Sequence, residues 1–220
     1  MAIKENIFQI KSEFPKHVTL VAVSKTKPIE LIREAYEAGQ RDFGENYAQE
    51  LEEKEIQLPK DIKWHAIGHL QTNKVKYIAP FVHLIHAVDS LNLLEEINKR
   101  AFKNNRKIDC LLQIYIAKEE TKFGFSPEEC EELLQSDEFK NLRHVNIVGL
   151  MGMASNTSNN NQIRDEFHLL KTLFDKLSIL NKKFSILSMG MSSDYKIAIE
   201  EGSNMVRIGS SIFGERNYTK

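Results

Sequence analysis

Eight short apolar runs recur along the chain, separated by stretches of mostly helical pattern. They are VTLVAVS (18–24), RDFGEN (41–46), KWHAIG (63–68), LIHAVD (84–89), DCLLQIYI (109–116), NIVGLMGM (146–153), FSILSMG (184–190) and NMVRIGSS (204–211). Their apolarity is continuous rather than alternating, as in strands of a parallel sheet covered on both faces. Pro28 opens a helix at IELIREAYEAG and Gly39 ends it, and GENYAQELEEKEI reads as a second helix. Ser90 caps SLNLLEEINKRAFKNN, with Leu93, Leu94, Ile97 and Ala101 on one face, and Ser126 and Pro127 start SPEECEELL. QIRDEFHLLKTLFDKLSIL is long and amphipathic, and KENIFQIKSEF adds a helix before the first strand. SNTSNNNQ (155–162) reads as a polar loop. Strands alternating with helices make an α/β fold, and eight units in 220 residues fit a single (β/α)8 TIM barrel over 1–220. A doubly wound open sheet is the alternative.

Composition narrows the function. Lys and Arg number 30 against 31 Asp and Glu, for a net charge of -1, which argues against a binder driven by nucleic-acid phosphates. Hydrophobic residues make up 41%, too many for a disordered chain. No run approaches the ~20 apolar residues of a membrane span. The charged start, MAIKENIFQIKSEF, is not a secretory signal. Cys110 and Cys130 make neither a disulfide framework nor a zinc set, so the expected compartment is the cytoplasm.

In a barrel of this kind the chemistry sits where strands end. Lys25 stands at the end of the first run, beside Val21 and Val23. Partial desolvation there would lower a lysine's pKa and supply the neutral amine that attacks an aldehyde. A solvated strand-end lysine is the other reading. Lys27 competes, but it precedes Pro28 and is expected to point outward. Asn46, ending the second run, either offers an amide to a ligand or caps the next helix. His65 and His69 have the spacing of two metal ligands, but the segment reads as a strand and no third ligand is evident, so no metal is expected. Trp64 reads as core. The seventh and eighth runs end in SMGMSSD and RIGSS, where Gly, Ser and free N–H groups suit an anion. The loops after strands seven and eight of such barrels commonly hold phosphate. These serines could equally be helix caps. Arg207 points into the barrel or out of it according to register.

A lysine on strand one and a phosphate cradle on strands seven and eight describe a pyridoxal phosphate site. The stretches VAVSKTKP, DFGENYAQE, WHAIGHLQTNK, HAVDS, KFGF, GLMGMA, LSMGMSSDY and VRIGSSIFG span most of the chain. In them the sequence resembles the YggS/PROSC family, the pyridoxal phosphate homeostasis proteins. The resemblance implies a barrel like the N-terminal domain of alanine racemase and of eukaryotic ornithine decarboxylase. It implies that pyridoxal 5'-phosphate forms a Schiff base with Lys25. Ser193, Gly209 and Ser210 would hold the phosphate, with Ser192 assisting, and Arg207 would face the pyridine nitrogen. Asn46 would lie near the ring, with Ile67 and Met191 lining the site and His69 a weaker candidate for the wall. Lys122, in KFGF, is a candidate for transient binding.

A permanently charged arginine at the pyridine nitrogen disfavours its protonation and weakens the ring as an electron sink. With no second base evident and no additional domain expected after the last strand, the resemblance favours a carrier. Such a monomer would bind the cofactor reversibly, take part in vitamin B6 homeostasis and release the cofactor to apo-enzymes. The alternative is a racemase-like enzyme of weak activity.

Overall fold

The computed structural model describes residues 2–118 and 123–214, so Lys122 lies outside the described residues. The eight runs form β1 (Thr19–Val23), β2 (Asp42–Glu45), β3 (Lys63–Ala66), β4 (Leu84–Val88), β5 (Ile108–Gln113), β6 (Val145–Met151), β7 (Ile186–Ser188) and β8 (Met205–Ile208). They pair in chain order, every neighbouring pair parallel, and β8 returns to β1. The barrel is closed, so the open-sheet alternative is excluded.

The helices are α1 (Ile3–Ser12), α2 (Ile29–Glu37), α3 (Ala48–Gln57), α4 (Val75–Ile78), α5 (Leu91–Lys103), α6 (Pro127–Gln135), α7 (Asp137–Lys140), α8 (Asn160–Leu180), α9 (Tyr195–Glu200) and α10 (Ser210–Phe213). Their starts follow local chemistry. Ser90 Oγ accepts from the Leu93 N–H, and Ser126 and Glu129 form a reciprocal capping box ahead of α6. Gly39, at φ +91°, takes the left-handed turn after α2.

Three boundaries differ from the sequence reading. Gly44 and Glu45 belong to β2, so α3 begins only at Ala48. The last three residues of SNTSNNNQ are helical, because the Asn159 side chain caps α8 by accepting from the N–H groups of Asn161 and Gln162. The run DCLLQIYI leaves the barrel after Gln113, where Phe125 returns to bridge Ile114. The four-residue α4 and α7 were not anticipated.

The apolar surface divides into two layers. A large cluster fills the space between strands and helices, with Ile32, Phe43, Trp64, Leu94, Ile97 and Phe167 fully buried. A smaller one, including Val21, Leu84, Leu111, Val148, Met151 and Met205, fills part of the barrel interior. Such packed layers make the barrel a core rather than a pore. The seam between β7 and β8 has a single registered pair, Ser188–Met205. Side chains reinforce it: Ser203 Oγ lies 2.7 Å from the Met189 carbonyl, and the Asn204 amide bonds both Leu187 N–H and Ser185 C=O. Among the described residues no helix is long and apolar enough to cross a membrane.

Candidate functional site

A cavity of about 480 Å³ opens at the C-terminal ends of the strands. It brings together Lys25, Asn46, Ile67, Met191, Ser192, Ser193, Arg207, Gly209 and Ser210. His69 joins them, as do Val23, Gln113, Phe123 and Met153, which sequence reasoning missed. Lys27 does not point away: it also lines the cavity, and its Nζ donates to the carbonyls of Phe213 and Gly214 at 3.1 and 3.0 Å. His65 and His69 do not act as a pair. One is buried in the barrel against His86 and Asp42, and the other stands on the rim against Asp89.

Lys25 is half-buried in a turn that leaves β1. The next residue, Thr26, has φ +63°, a left-handed conformation uncommon for a side chain of this type. A buried polar network holds both sides of that turn. Lys54 Nζ donates to Ser24 C=O, Glu45 Oε1 and Glu50 Oε1 at 2.8, 2.8 and 2.7 Å. Ser24 Oγ donates to Glu45 Oε1 at 2.6 Å, and the Thr26 N–H donates to Glu50 Oε1 at 2.6 Å. Burial pushes the Glu45 carboxyl up to about 7, against the pull of Lys54 and Ser24. Its second oxygen, Oε2, is buried and has no hydrogen-bond partner among the described residues.

On the same cavity, two loops of small residues after β7 and β8 converge beside β1. Asp194 ties one by accepting from the Met191 N–H at 2.6 Å, and the Met191 C=O accepts from Asp194 and Tyr195. The Gly209 N–H joins the loops by donating to Ser192 Oγ at 3.3 Å. A Cβ at Gly209 would lie 3.1 Å from Val23 O and 3.2 Å from Val23 Cβ, so glycine lets the second loop close onto β1. Among the described residues nothing accepts from the backbone N–H of Ser193 or Ser210. Free N–H groups and three serine hydroxyls, with no carboxylate on the cavity wall among the described residues, are a donor set for a phosphate.

Arg207 points inward and is 4% exposed. Nη1 donates to the carbonyl and Oγ of Ser188 at 2.9 and 2.6 Å, and Nη2 to Gly152 C=O at 3.1 Å. Burial lowers its pKa to about 10, partly offset by Asp194, so it remains a cation at neutral pH. Beyond Ser188 the polar column continues. Ser188 Oγ meets His86 Nδ1 at 3.0 Å, His86 Nε2 meets His65 Nδ1 at 2.9 Å, and His65 Nε2 meets Asp42 Oδ1 at 3.1 Å. Asp42, ionised, only accepts and Arg207 only donates, so the column runs from Arg207 through Ser188, His86 and His65 to Asp42, each ring donating from Nε2 toward the Asp42 end. His83 stands near the Asp42 end, where it, His65 and Asp42 each place one ligand atom within 4.8 Å of the others.

Two buried groups oppose each other in acid. Burial, and then the charges of His65, Arg207 and His83, hold His86 well below an ordinary histidine pKa. Its stability contribution is full above about pH 6.5 and is lost as pH falls. Glu45, raised to about 7 from 4.5, acts the other way: its contribution is full below 4.5 and is lost as pH rises to about 7. Glu45→Gln therefore removes the term that compensates His86. Its unfolding free energy should drop on going from about pH 7 to 5 by roughly 1–3 kcal/mol more than the wild type's. Superimposable urea profiles for the two proteins at both pH values would refute this.

Comparison with known proteins places the chain. Residues 1–217 match the family model described as the alanine racemase N-terminal domain. A pyridoxal phosphate homeostasis protein of Aquifex aeolicus is 46% identical over 201 residues, covering 90% of this chain and 87% of that protein. The chain belongs to the pyridoxal phosphate homeostasis protein family. Human and Haemophilus influenzae members are 38% and 41% identical over 100% and 92% of this chain, covering 86% of each of those proteins. Among solved structures, PipY of Synechococcus elongatus PCC7942 without pyridoxal phosphate superposes with a TM-score of 0.90 at 36% identity, over 96% of this chain and 100% of that one. The same protein with pyridoxal phosphate bound gives 0.87 at 35% identity over the same shares.

Proposed function

We propose that this member of the family binds pyridoxal 5'-phosphate in the cavity and takes part in its homeostasis. One observation carries the reading: a half-buried strand-end lysine shares a cavity with a phosphate-type donor set. In this reading Lys25 forms the Schiff base, and Ser192, Ser193, Gly209 and Ser210 hold the phosphate. Arg207 faces the pyridine nitrogen, Asn46 lies near the ring, and Ile67 and Met191 form its walls. Three of the five Arg207 N–H groups are taken by Ser188 and Gly152, which leaves Nε–H and one on Nη2 for a ligand atom. The bound group supplies an electron-withdrawing ring and a reactive aldehyde; the residues bind it, shield it and keep one amine at its carbon. The protein acts as a single barrel, a cytoplasmic monomer that releases the cofactor to apo-enzymes. The PipY structure with pyridoxal phosphate bound and the names of the family members support the cofactor assignment.

The test is an absorption spectrum with added pyridoxal 5'-phosphate, followed by borohydride reduction and peptide mapping. A visible-edge band and an adduct on the Lys25 peptide are expected. No band, or an adduct scattered over surface lysines, would sink the reading. Ser210→Ala should weaken binding by about 1.5–3 kcal/mol, the worth of one hydrogen bond to a charged group. Equal affinity in a titration would remove Ser210 from the phosphate site.

The racemase-like alternative gains one observation: His69, on the same cavity, is paired with Asp89. Solvent-deuterium exchange at the α-carbon of an amino acid, lost in Lys25→Ala, would favour it over the carrier.

A further inference from the structure

The geometry points to His69, oriented by Asp89, as the proton-transfer residue for amine exchange at Lys25. This inference rests on the function proposed above.

His69 Nδ1 lies 3.0 Å from Asp89 Oδ2. A carboxylate only accepts, so Nδ1 carries the proton and Nε2 presents the lone pair in the neutral ring. Asp89 is itself held: its side chain is 11% exposed, and its Oδ1 accepts from Ser90 Oγ at 3.2 Å. The ring stacks on Phe123 with centroids 4.4 Å apart and planes 22° from parallel. An imidazole fixed by an acid on one nitrogen, with the other left for chemistry, is the arrangement of an oriented acid–base group. Here it lines the same cavity as Lys25. Yet the His69 side chain is 47% exposed, so it is no part of the core.

Exchange of amines needs such a group. The incoming amine arrives mainly as an ammonium ion and must lose a proton before its nitrogen bonds the cofactor's carbon. Nε2 takes that proton and, once the new bond has formed, gives it to Lys25 Nζ. The new nitrogen's second proton follows the same route, the bond from the carbon to Nζ breaks, and Lys25 leaves as an ammonium ion. Two protons leave the incoming nitrogen and two reach Nζ, so His69 ends unchanged and the charges balance. Loading is the same sequence with water leaving. The basic side chains of Lys25, Lys27 and Arg207 share the cavity, and Lys74 shares an adjoining hollow with His69, while Asp89 faces the ring from the end of β4.

The experiment is stopped-flow loading of pyridoxal 5'-phosphate, and unloading by excess alanine, from about pH 6 to 8 where imidazoles titrate. His69→Ala should slow both rates by roughly 100-fold, the lower end of acid–base contributions, with the dissociation constant little changed. Added imidazole should restore the rate in proportion to its free-base fraction, and Asp89→Asn should lose part of the rate. Nitrogen NMR of the ligand-free protein gives an independent readout: His69 is expected as the Nδ1–H tautomer in the wild type, weakened in Asp89→Asn. Rates and pH profile within about twofold of wild type in His69→Ala, a loss that imidazole does not rescue, or an Nε2–H tautomer would each overturn the inference. A wild type that forms no adduct on Lys25 would instead overturn the function on which it rests.

Discussion

Lys25→Ala protein incubated with pyridoxal 5'-phosphate is expected to show no visible-edge band and no borohydride-stable adduct at that turn. The effect is all or none, because an imine needs a primary amine and methyl offers none. Lys27 is a poor substitute. Its Nζ donates to two backbone carbonyls, which directs it to the Phe213–Gly214 edge. The proposed anion cradle is untouched by the substitution, so weak non-covalent binding should survive. Each remaining charge-assisted hydrogen bond is worth about 1.5–3 kcal/mol. Lys25→Arg separates charge from chemistry: it keeps the cation and still cannot form the imine. A full adduct in either variant, at Lys27 or elsewhere in the cavity, would show that the anchor had been misassigned.

The second large effect is on stability. Lys54→Met should cost about 3–5 kcal/mol at about pH 8, the usual penalty for breaking a buried pair from one side. Lys54 is the cation that faces Glu45 Oε1 in a site where the Glu45 side chain is fully buried. Without it the carboxylate keeps Ser24 alone. The cost should shrink at about pH 5, because Glu45 already sits near 7 and burial without a partner pushes it higher still, so acid neutralises it. Lys54→Met/Glu45→Gln should recover most of the loss. Denaturant titrations of the wild type and the two variants at the two pH values measure this. A loss independent of pH, unrelieved in the double variant, would mean that the lysine acts through packing of its stem rather than its charge.

Much of the architecture is legible in the sequence because burial on both faces makes a barrel strand continuously apolar, and most of the eight runs carry that mark, RDFGEN and LIHAVD only weakly. Helix starts at Ser90 and Ser126 are legible for a local reason: cap and first turn are contiguous. The site residues Lys25, Asn46, Ser192, Ser193, Gly209 and Ser210 stand out as polar or small residues just past strand ends. What the pattern hides is which way a residue faces. A continuous apolar run gives no phase, so His86 and Ser188 read as strand members and not as links in a column through the barrel. The Glu45–Lys54 pair is hidden differently. Both side chains look like solvated charges in GENYAQELEEKEI, and only the packing of α3 against β2 buries them. The cap at Asn159 was lost in a run of similar polar residues. Four-residue helices such as α4 and α7 are too short to show a period at all.

The seam between β7 and β8 has a consequence for how the molecule breathes. A stave barrel parts at its thinnest joint, and this joint has one registered pair where β5 and β6 have six. Ser203 and Asn204 act as its stitches. The two loops that follow these staves, Met191–Ser193 and Gly209–Ser210, are the jaws of the proposed anion cradle. Local opening draws on the least stable joints first. The jaws can therefore spread while the hoop from β1 to β6 stays whole, and Lys25, on the stable side, would keep its place through the proposed binding and release.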